Sequence, residues 1–252
     1  MAGRLFVIGI GPGDPELLTL KAVRILKEVP CVIVPKGREE GSSLALSIVR
    51  KAIPLDGKEI VEAYFPMRKT RGSEESGVRS EENKTINDRD ELDAKWDEAA
   101  EAVLNRLDKG TDAAFITIGD PAIYSTFFYL YDRLLARRPS LSIEMVPGIS
   151  SINAAAARSG MSLGLGDERI AILPANYLEG LQETLERFDT VVLMKVNKVF
   201  GEVKDMLKRT GLSSKAVYVA RAGMEDEAVF KDISQVREED LNYFSLVIVR
   251  KR

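Results

Sequence analysis

The sequence predicts an α/β protein of two α/β domains, the first with a mainly parallel sheet and the second with a mixed one. Short apolar runs alternate with amphipathic stretches along most of the chain, the pattern of strands joined by crossover helices. Near the C-terminus the apolar runs follow one another with no helix between them, which a purely parallel sheet does not allow. With 252 residues and 45% hydrophobic content, the chain can build either one large core or two smaller ones.

The elements follow in order. "LFVIGI" (5–10) is a buried strand, and "PELLTLKAVRILKEV" (15–29) has the three- and four-residue apolar spacing of a helix. "CVIVP" (31–35) is a second strand ended by Pro35, and "SSLALSIVRKAI" (42–53) a helix capped by Ser42 or Ser43. "EIVEAYF" (59–65) is a third strand, and "AKWDEAAEAVLNRLDKG" (94–110) a helix stopped at Gly110. "AAFITIG" (113–119), "STFFYLYDRLLARR" (125–138) and "LSIEMVPG" (141–148) are strand, helix and strand. A second series starts with the small-residue helix "SSINAAAARSG" (150–160), which begins the second domain or bridges the two. "RIAILP" (169–174), "TVVLMK" (190–195), "AVYVAR" (216–221), "EAVFKDI" (227–233) and "YFSLVIVRK" (243–251) are its strands. "LEGLQETLERF" (178–188) and "VFGEVKDMLKRTG" (199–211) are helices between the first of them. The expected domains are 1–147, with a charged insertion at 66–95, and 148–252.

That insertion is about half charged and nearly devoid of apolar residues, so it is expected as a solvated excursion or as a lid over a ligand. Its Arg68, Lys69, Arg71, Arg79, Lys84 and Arg89 suit a ligand rich in carboxylates.

Composition narrows the chemistry. A net charge of −3 argues against a general nucleic-acid coat. No run approaches the length of a membrane span and no signal-peptide pattern opens the chain, so a cytoplasmic protein without membrane partners is expected. The single Cys31 permits no internal disulfide and sits in an apolar strand. The sequence has no histidine, which excludes His-based triads, His-ligated zinc and His general bases. No protein-bound metal is expected.

Three turns at strand ends then draw attention. "GIGPGD" places glycines at 9, 11 and 13, not in the G-x-G-x-x-G spacing of a dinucleotide loop. Pro12 removes an amide donor, and Asp14 puts an anion where a pyrophosphate would arrive. Taken alone, the loop is a tight strand-to-helix turn capped by Asp14. "TIGDPAIYST" (117–126) repeats the design, and "VPGISS" (146–151) is a third Gly/Pro turn. Such turns at the carboxyl ends of strands lie where open α/β sheets bind ligands, and their exposed backbone suits a ligand without phosphate.

"GIGPGDPELLTLKAV", "TIGDPAIYST", "VPGISS" and "VVLMK", in this order, resemble the tetrapyrrole methylases, the class III S-adenosylmethionine methyltransferases of cobalamin and sirohaem synthesis. The resemblance covers nearly the whole chain. It implies two α/β domains with the cofactor S-adenosyl-L-methionine (product S-adenosyl-L-homocysteine) in the cleft between them, and a homodimer. "FPM" (65–67), the long insertion, Trp96 and "GDPAIYSTFFYL" most resemble the C20-methyltransferases acting on precorrin-2 or cobalt-factor II. The resemblance implies cofactor contacts from Pro12, Gly119, Asp120, Ile123, Ser150, Ser151, Met194, Ala222 and Gly223. Each has a plainer alternative: Met194 as core, Ser150 as helix cap, Asp120 as turn former. Asp120 and Tyr124 are the candidates for a catalytic polar group. The macrocycle's eight carboxylates call for a locally basic substrate surface. The alternatives are a tetrapyrrole methylase of other regiochemistry, a nicotinamide-dependent oxidoreductase, and an inactive binding module.

Overall fold

The computed structural model describes residues 2–36, 43–64, 82–175 and 178–252, except the side chains of 64 and 82–92. Contacts along the chain divide it into two compact units, Met1–Ile149 and Ser150–Arg252.

The first unit holds β1 (Leu5–Gly9), α1 (Leu20–Glu28), β2 (Cys31–Lys36), α2 (Leu44–Ala52), β3 (Glu59–Tyr64), α3 (Glu82–Asp108), β4 (Ala113–Thr117), α4 (Phe127–Arg137) and β5 (Ile143–Val146). Its sheet has the order β3-β2-β4-β1-β5, and every pair is parallel. Alternate residues of β1 go to opposite faces, as the two-residue period of a strand requires. Leu5 and Val7 pack with Trp96, Val103 and Leu107 of α3 and Phe127, Leu130 and Leu134 of α4. Phe6 and Ile8 pack with Ala22, Ile25 and Leu26 of α1 and Leu46 and Val49 of α2. Helices therefore cover both faces, which is why these strands are apolar throughout and not alternating. The chain leaves neighbouring strands β1 and β4 through helices on opposite faces. Their carboxyl ends form the switch point at which open parallel sheets bind ligands.

Two expectations change here. The helix expected from Pro15 is broken: a short 3-10 turn, Pro15–Leu17, is capped by Asp14, Leu18 is extended, and α1 starts afresh at Leu20. Thr19 is the reason, since its Oγ1 accepts the Ala22 amide at 3.2 Å and supplies a second N-cap. The stretch expected as an excursion is partly helix, because α3 begins at Glu82 and takes in the last residues of the 66–95 insertion. Trp96 lies inside that helix, 1% exposed, with its ring 5.6 Å from Tyr129 of α4.

The second unit holds α5 (Ser151–Ser159), β6 (Ile170–Pro174), α6 (Leu181–Arg187), β7 (Thr190–Met194), α7 (Phe200–Arg209), β8 (Ala216–Ala220), β9 (Ala228–Phe230) and β10 (Ser245–Arg250). Its sheet has the order β6-β7-β10-β8-β9, with β6 and β7 parallel and the remaining pairs antiparallel. Leu181 and Leu185 of α6 and Phe200, Val203 and Leu207 of α7 pack with Val191, Leu193, Tyr218 and Val247 on one face. α5 lies against β8 and β10. The strand expected at 227–233 is only three residues long, and Asp232 instead caps a 3-10 turn by accepting the Ser234 amide at 2.9 Å.

Candidate functional site

In the first unit the three Gly/Pro turns meet backbone to backbone. Gly11 and Gly119 form an isolated antiparallel bridge: the Gly119 amide donates to the Gly11 carbonyl at 2.8 Å, and the Gly11 amide to the Gly119 carbonyl at 3.4 Å. A Cβ on Gly9 would sit 2.6 Å from the Gly119 carbonyl oxygen and 2.7 Å from the Gly148 nitrogen. A Cβ on Gly148 would sit 2.3 Å from the Gly119 oxygen and 2.6 Å from the Gly9 carbonyl carbon. No side chain fits at either position. These two glycines allow the turns to approach one another. Gly119 differs: its φ is +75° and a Cβ there would meet nothing within 4 Å. Its bare face opens onto space at the switch point.

Asp120 joins two of these turns. Its Oδ1 accepts the Ala122 amide at 2.8 Å, closing its own turn, and its Oδ2 accepts the Gly148 amide at 3.0 Å. Carboxylate-to-amide bonds are stronger than neutral ones, so this side chain fixes the distance between the ends of β4 and β5. Ile123 follows through its amide, bonded to the Asp120 carbonyl at 3.3 Å. Ser125 Oγ lies 3.3 Å from Thr117 Oγ1 and accepts the Phe127 amide at 3.2 Å, setting the start of α4. Between them Tyr124 adopts φ +52°, a left-handed conformation that is costly for an aromatic residue. Partial burial raises its hydroxyl above the ordinary tyrosine value, so it stays protonated at neutral pH. Pro12 is buried within the first turn.

In the second unit, Ser150 caps α5. Its Oγ accepts the Asn153 amide at 3.4 Å and donates to Asn153 Oδ1 at 2.8 Å, and Ser151 is the first helical residue. Met194 ends β7, half-buried, with its carbonyl accepting the Ala175 amide at 2.8 Å. Ala222 and Gly223 follow β8 and are buried, and the Gly223 amide donates to Glu227 Oε2 at 2.6 Å. Glu227 is itself held by Arg158 at 3.3 Å. The turns after β7 and β8 lie at the same end of the sheet, each beside the start of β10: Met194 pairs with Leu246 and Ala220 with Ser245.

Of the basic residues expected at a substrate surface, Arg68, Lys69, Arg71 and Arg79 lie outside the described residues, as does the 65–67 motif. Lys84 and Arg89 fall within α3, but their side chains lie outside the description. Among the described residues no helix is long and apolar enough to cross a membrane.

Residue types alone did not reveal the joining role of Asp120 or the close packing of Gly9 against Gly148. Both depend on three strands far apart in sequence ending side by side. The repeated strand–Gly–Asp–Pro pattern was the available signal for Asp120.

Comparison with known proteins fixes the family. The family model of the tetrapyrrole (corrin/porphyrin) methylases matches residues 4–236. The chain is a tetrapyrrole methylase. Among curated members of the family, it is 32% identical to the cobalt-precorrin-2 C(20)-methyltransferase of Salmonella typhimurium, over 100% of this chain and 98% of that one. It is 34% identical to a probable cobalt-precorrin-2 C(20)-methyltransferase of Methanocaldococcus jannaschii, over 98% and 96% of the two chains. Solved methylases share the fold. A cobalt precorrin-4 methyltransferase superposes with a TM-score of 0.72 at 21% identity, covering 98% of this chain and 94% of that one. The uroporphyrin-III C-methyltransferase of Thermus thermophilus, solved with S-adenosylhomocysteine, gives 0.63 at 24% identity, covering 99% and 98%.

Proposed function

We propose that this methylase transfers a methyl group from S-adenosylmethionine to C20 of precorrin-2, or of its cobalt-loaded counterpart, in cobalamin biosynthesis. The observation that carries the reading is full-length identity of 32% and 34% to two proteins named as C20-methyltransferases of cobalt-precorrin-2. Any cobalt belongs to the substrate. A nicotinamide-dependent oxidoreductase finds no support in the family match, and the G-x-G-x-G spacing of the first turn stands against it.

The residues fit the cofactor. Gly119 presents a side-chain-free face to open space, and Ala222 and Gly223 are the small residues at the turn after β8. On the family resemblance, Gly119 and Ile123 of the first unit and Ser151, Met194, Ala222 and Gly223 of the second are taken as contacts. Pro12, Asp120 and Ser150 shape the turns that present them. Bound S-adenosylmethionine supplies a methyl group made electrophilic by the positive sulfur.

Little acid–base work is then asked of the protein, and its main contribution is to hold nucleophilic carbon and methyl in line. Asp120 acts by holding two turns at a fixed separation. Tyr124, protonated at neutral pH, serves as a hydrogen-bond donor and not as the base that removes the C20 proton, a role left to water or a carboxylate. The family resemblance supports a cytoplasmic homodimer.

The test is an assay with S-adenosylmethionine and either metal-free or cobalt-loaded substrate, with NMR assignment of the methylated carbon. Methylation elsewhere than C20 refutes the regiochemistry. A calorimetric titration in which NADH binds and S-adenosylhomocysteine does not refutes the methylase reading.

A further inference from the structure

Three non-glycine residues among those described have positive φ: Tyr124, Lys195 and Arg221. Two of them belong to the second unit, and they face the same feature. Lys195, with φ +59°, directly follows β7, and its amide donates to the Ser245 carbonyl at 2.9 Å. Arg221, with φ +54°, directly follows β8, and its amide donates to the Phe244 carbonyl at 2.7 Å. β10 lies between β7 and β8, so the two left-handed residues flank its start on either side. Glycine adopts this conformation without steric penalty, and asparagine does so readily. A lysine and an arginine stand here instead, so the local backbone requirement does not explain the residues found. The side chains do.

Those side chains are two cations beside two exposed rings. Tyr243 and Phe244 are 40% and 38% exposed, and their centroids are 5.2 Å apart in an edge-to-face pair. Lys195 Nζ lies 5.9 Å from the Tyr243 centroid. Asp226 engages Arg221 through Nε, an orienting contact that uses one of the five N–H donors of the guanidinium. The Asn242 side chain accepts the Phe244 amide at 2.9 Å and fixes the loop that carries the rings.

We propose that Lys195, Arg221, Tyr243 and Phe244 form a recognition patch for a planar conjugated ring bearing carboxylates. The rings offer stacking surface, and the two cations offer charge-assisted hydrogen bonds to carboxylates at its periphery. This rests on the methylase reading and deepens it: the patch is a substrate-side element on the second unit, distinct from the basic residues of 66–95.

The probe is uroporphyrin, a stable planar octacarboxylate, titrated against the full chain by fluorescence at several salt concentrations. The variants are Lys195→Gly, Arg221→Gly, the double glycine variant and the double variant Lys195→Gln with Arg221→Gln. The glycine variants relieve the left-handed backbone, so their Tm equals or exceeds that of the wild type. The expected result is a loss of uroporphyrin affinity of roughly three- to tenfold per cation removed, with a shallower salt dependence in both double variants. Unchanged affinity and salt dependence in the double glycine variant overturns the proposal. So does a full loss in the glutamine variant with none in the glycine variant, since strain and not charge would then be at work. S-adenosylhomocysteine titrated into the wild type tests the methylase reading separately. If it binds while the double variants keep full uroporphyrin affinity, only the patch is refuted.

Discussion

Replacing Gly148 by alanine tests the packing of the three turns. The new Cβ would lie 2.3 Å from the Gly119 carbonyl oxygen, 2.6 Å from the Gly9 carbonyl carbon and 2.7 Å from the Gly9 oxygen. A carbon approaches a carbonyl oxygen comfortably at about 3.3 Å or more, so roughly 1 Å of overlap must be relieved. Every atom met is backbone, so no side chain can rotate away. Overpacking of one methyl costs about 1–3 kcal/mol where neighbours adjust, and a rigid backbone setting belongs at the upper end. Displacing Gly148 also lengthens its 3.0 Å bond to Asp120, a charge-assisted bond worth about 1.5–3 kcal/mol. A loss of about 4 kcal/mol lowers Tm by roughly 8–16 °C in a chain of this size. Gly119→Ala is the comparison. Its Cβ meets nothing within 4 Å, so only the φ of +75° matters, costing about 1–2 kcal/mol and roughly 2–8 °C. On the proposed reading, in which Gly119 contacts the cofactor, that Cβ would occupy the cofactor's space, and S-adenosylhomocysteine affinity should fall by about tenfold or more. Thermal melts and calorimetric titration of both variants decide the matter. A Gly148→Ala protein melting within about 2 °C of wild type would refute the close-packing argument.

Asp120→Asn leaves one carbonyl oxygen where two carboxylate oxygens served the amides of Ala122 and Gly148. Urea denaturation should show a loss of about 1–3 kcal/mol, and a loss of activity without any loss of stability would point instead to direct chemistry. Glu168 and Arg250 pair at 2.9 Å with side chains only 7% and 10% exposed, and Glu168 also accepts the Leu165 amide at 2.9 Å. Glu168→Ala should therefore cost about 3–5 kcal/mol by the same measurement, whereas an exposed pair such as Arg24–Glu28 should contribute under about 1 kcal/mol. The thiol of Cys31, 0% exposed, is pushed up to about 11 by burial, with the Glu59 carboxylate adding to the effect. Its native reaction with a thiol reagent at pH 8 should be slow and become fast in denaturant. Because the folded value lies above the unfolded one, its contribution to stability is intact below about pH 9 and is lost as pH rises through 9 to 11.

The strands and helices were legible because each carries its own period. Leu5 to Ile10 and Val191 to Leu193 are apolar at successive positions, and α1, α4 and α7 repeat apolar residues every three or four. These patterns are local, as are caps such as Ser43 and Asp14. Where two local signals compete, the sequence underdetermines the outcome. Asp14 and Thr19 both offer N-caps, and the structure uses both, splitting one expected helix into a 3-10 turn and α1. Acidic and basic residues in 82–95 gave no apolar stripe to mark helix, yet α3 extends through them from the buried face around Trp96.

The sequence by itself determined the alternation of elements, the mixed character of the second sheet, the absence of histidine chemistry and, through its motifs, the family. The tertiary structure alone decided what the turn residues do. Gly9, Gly119 and Gly148 stand at or just beyond the carboxyl ends of three strands, up to 139 positions apart in the chain, and only the order β4-β1-β5 brings their backbones into contact. The same juxtaposition turns Asp120 from a turn former into a clasp, and a similar one in the second sheet sets Lys195 and Arg221 on either side of the start of β10. Periodicity records which face of an element is buried. It carries no record of which distant strand ends beside it, because that is settled by crossover handedness and core packing over the whole unit.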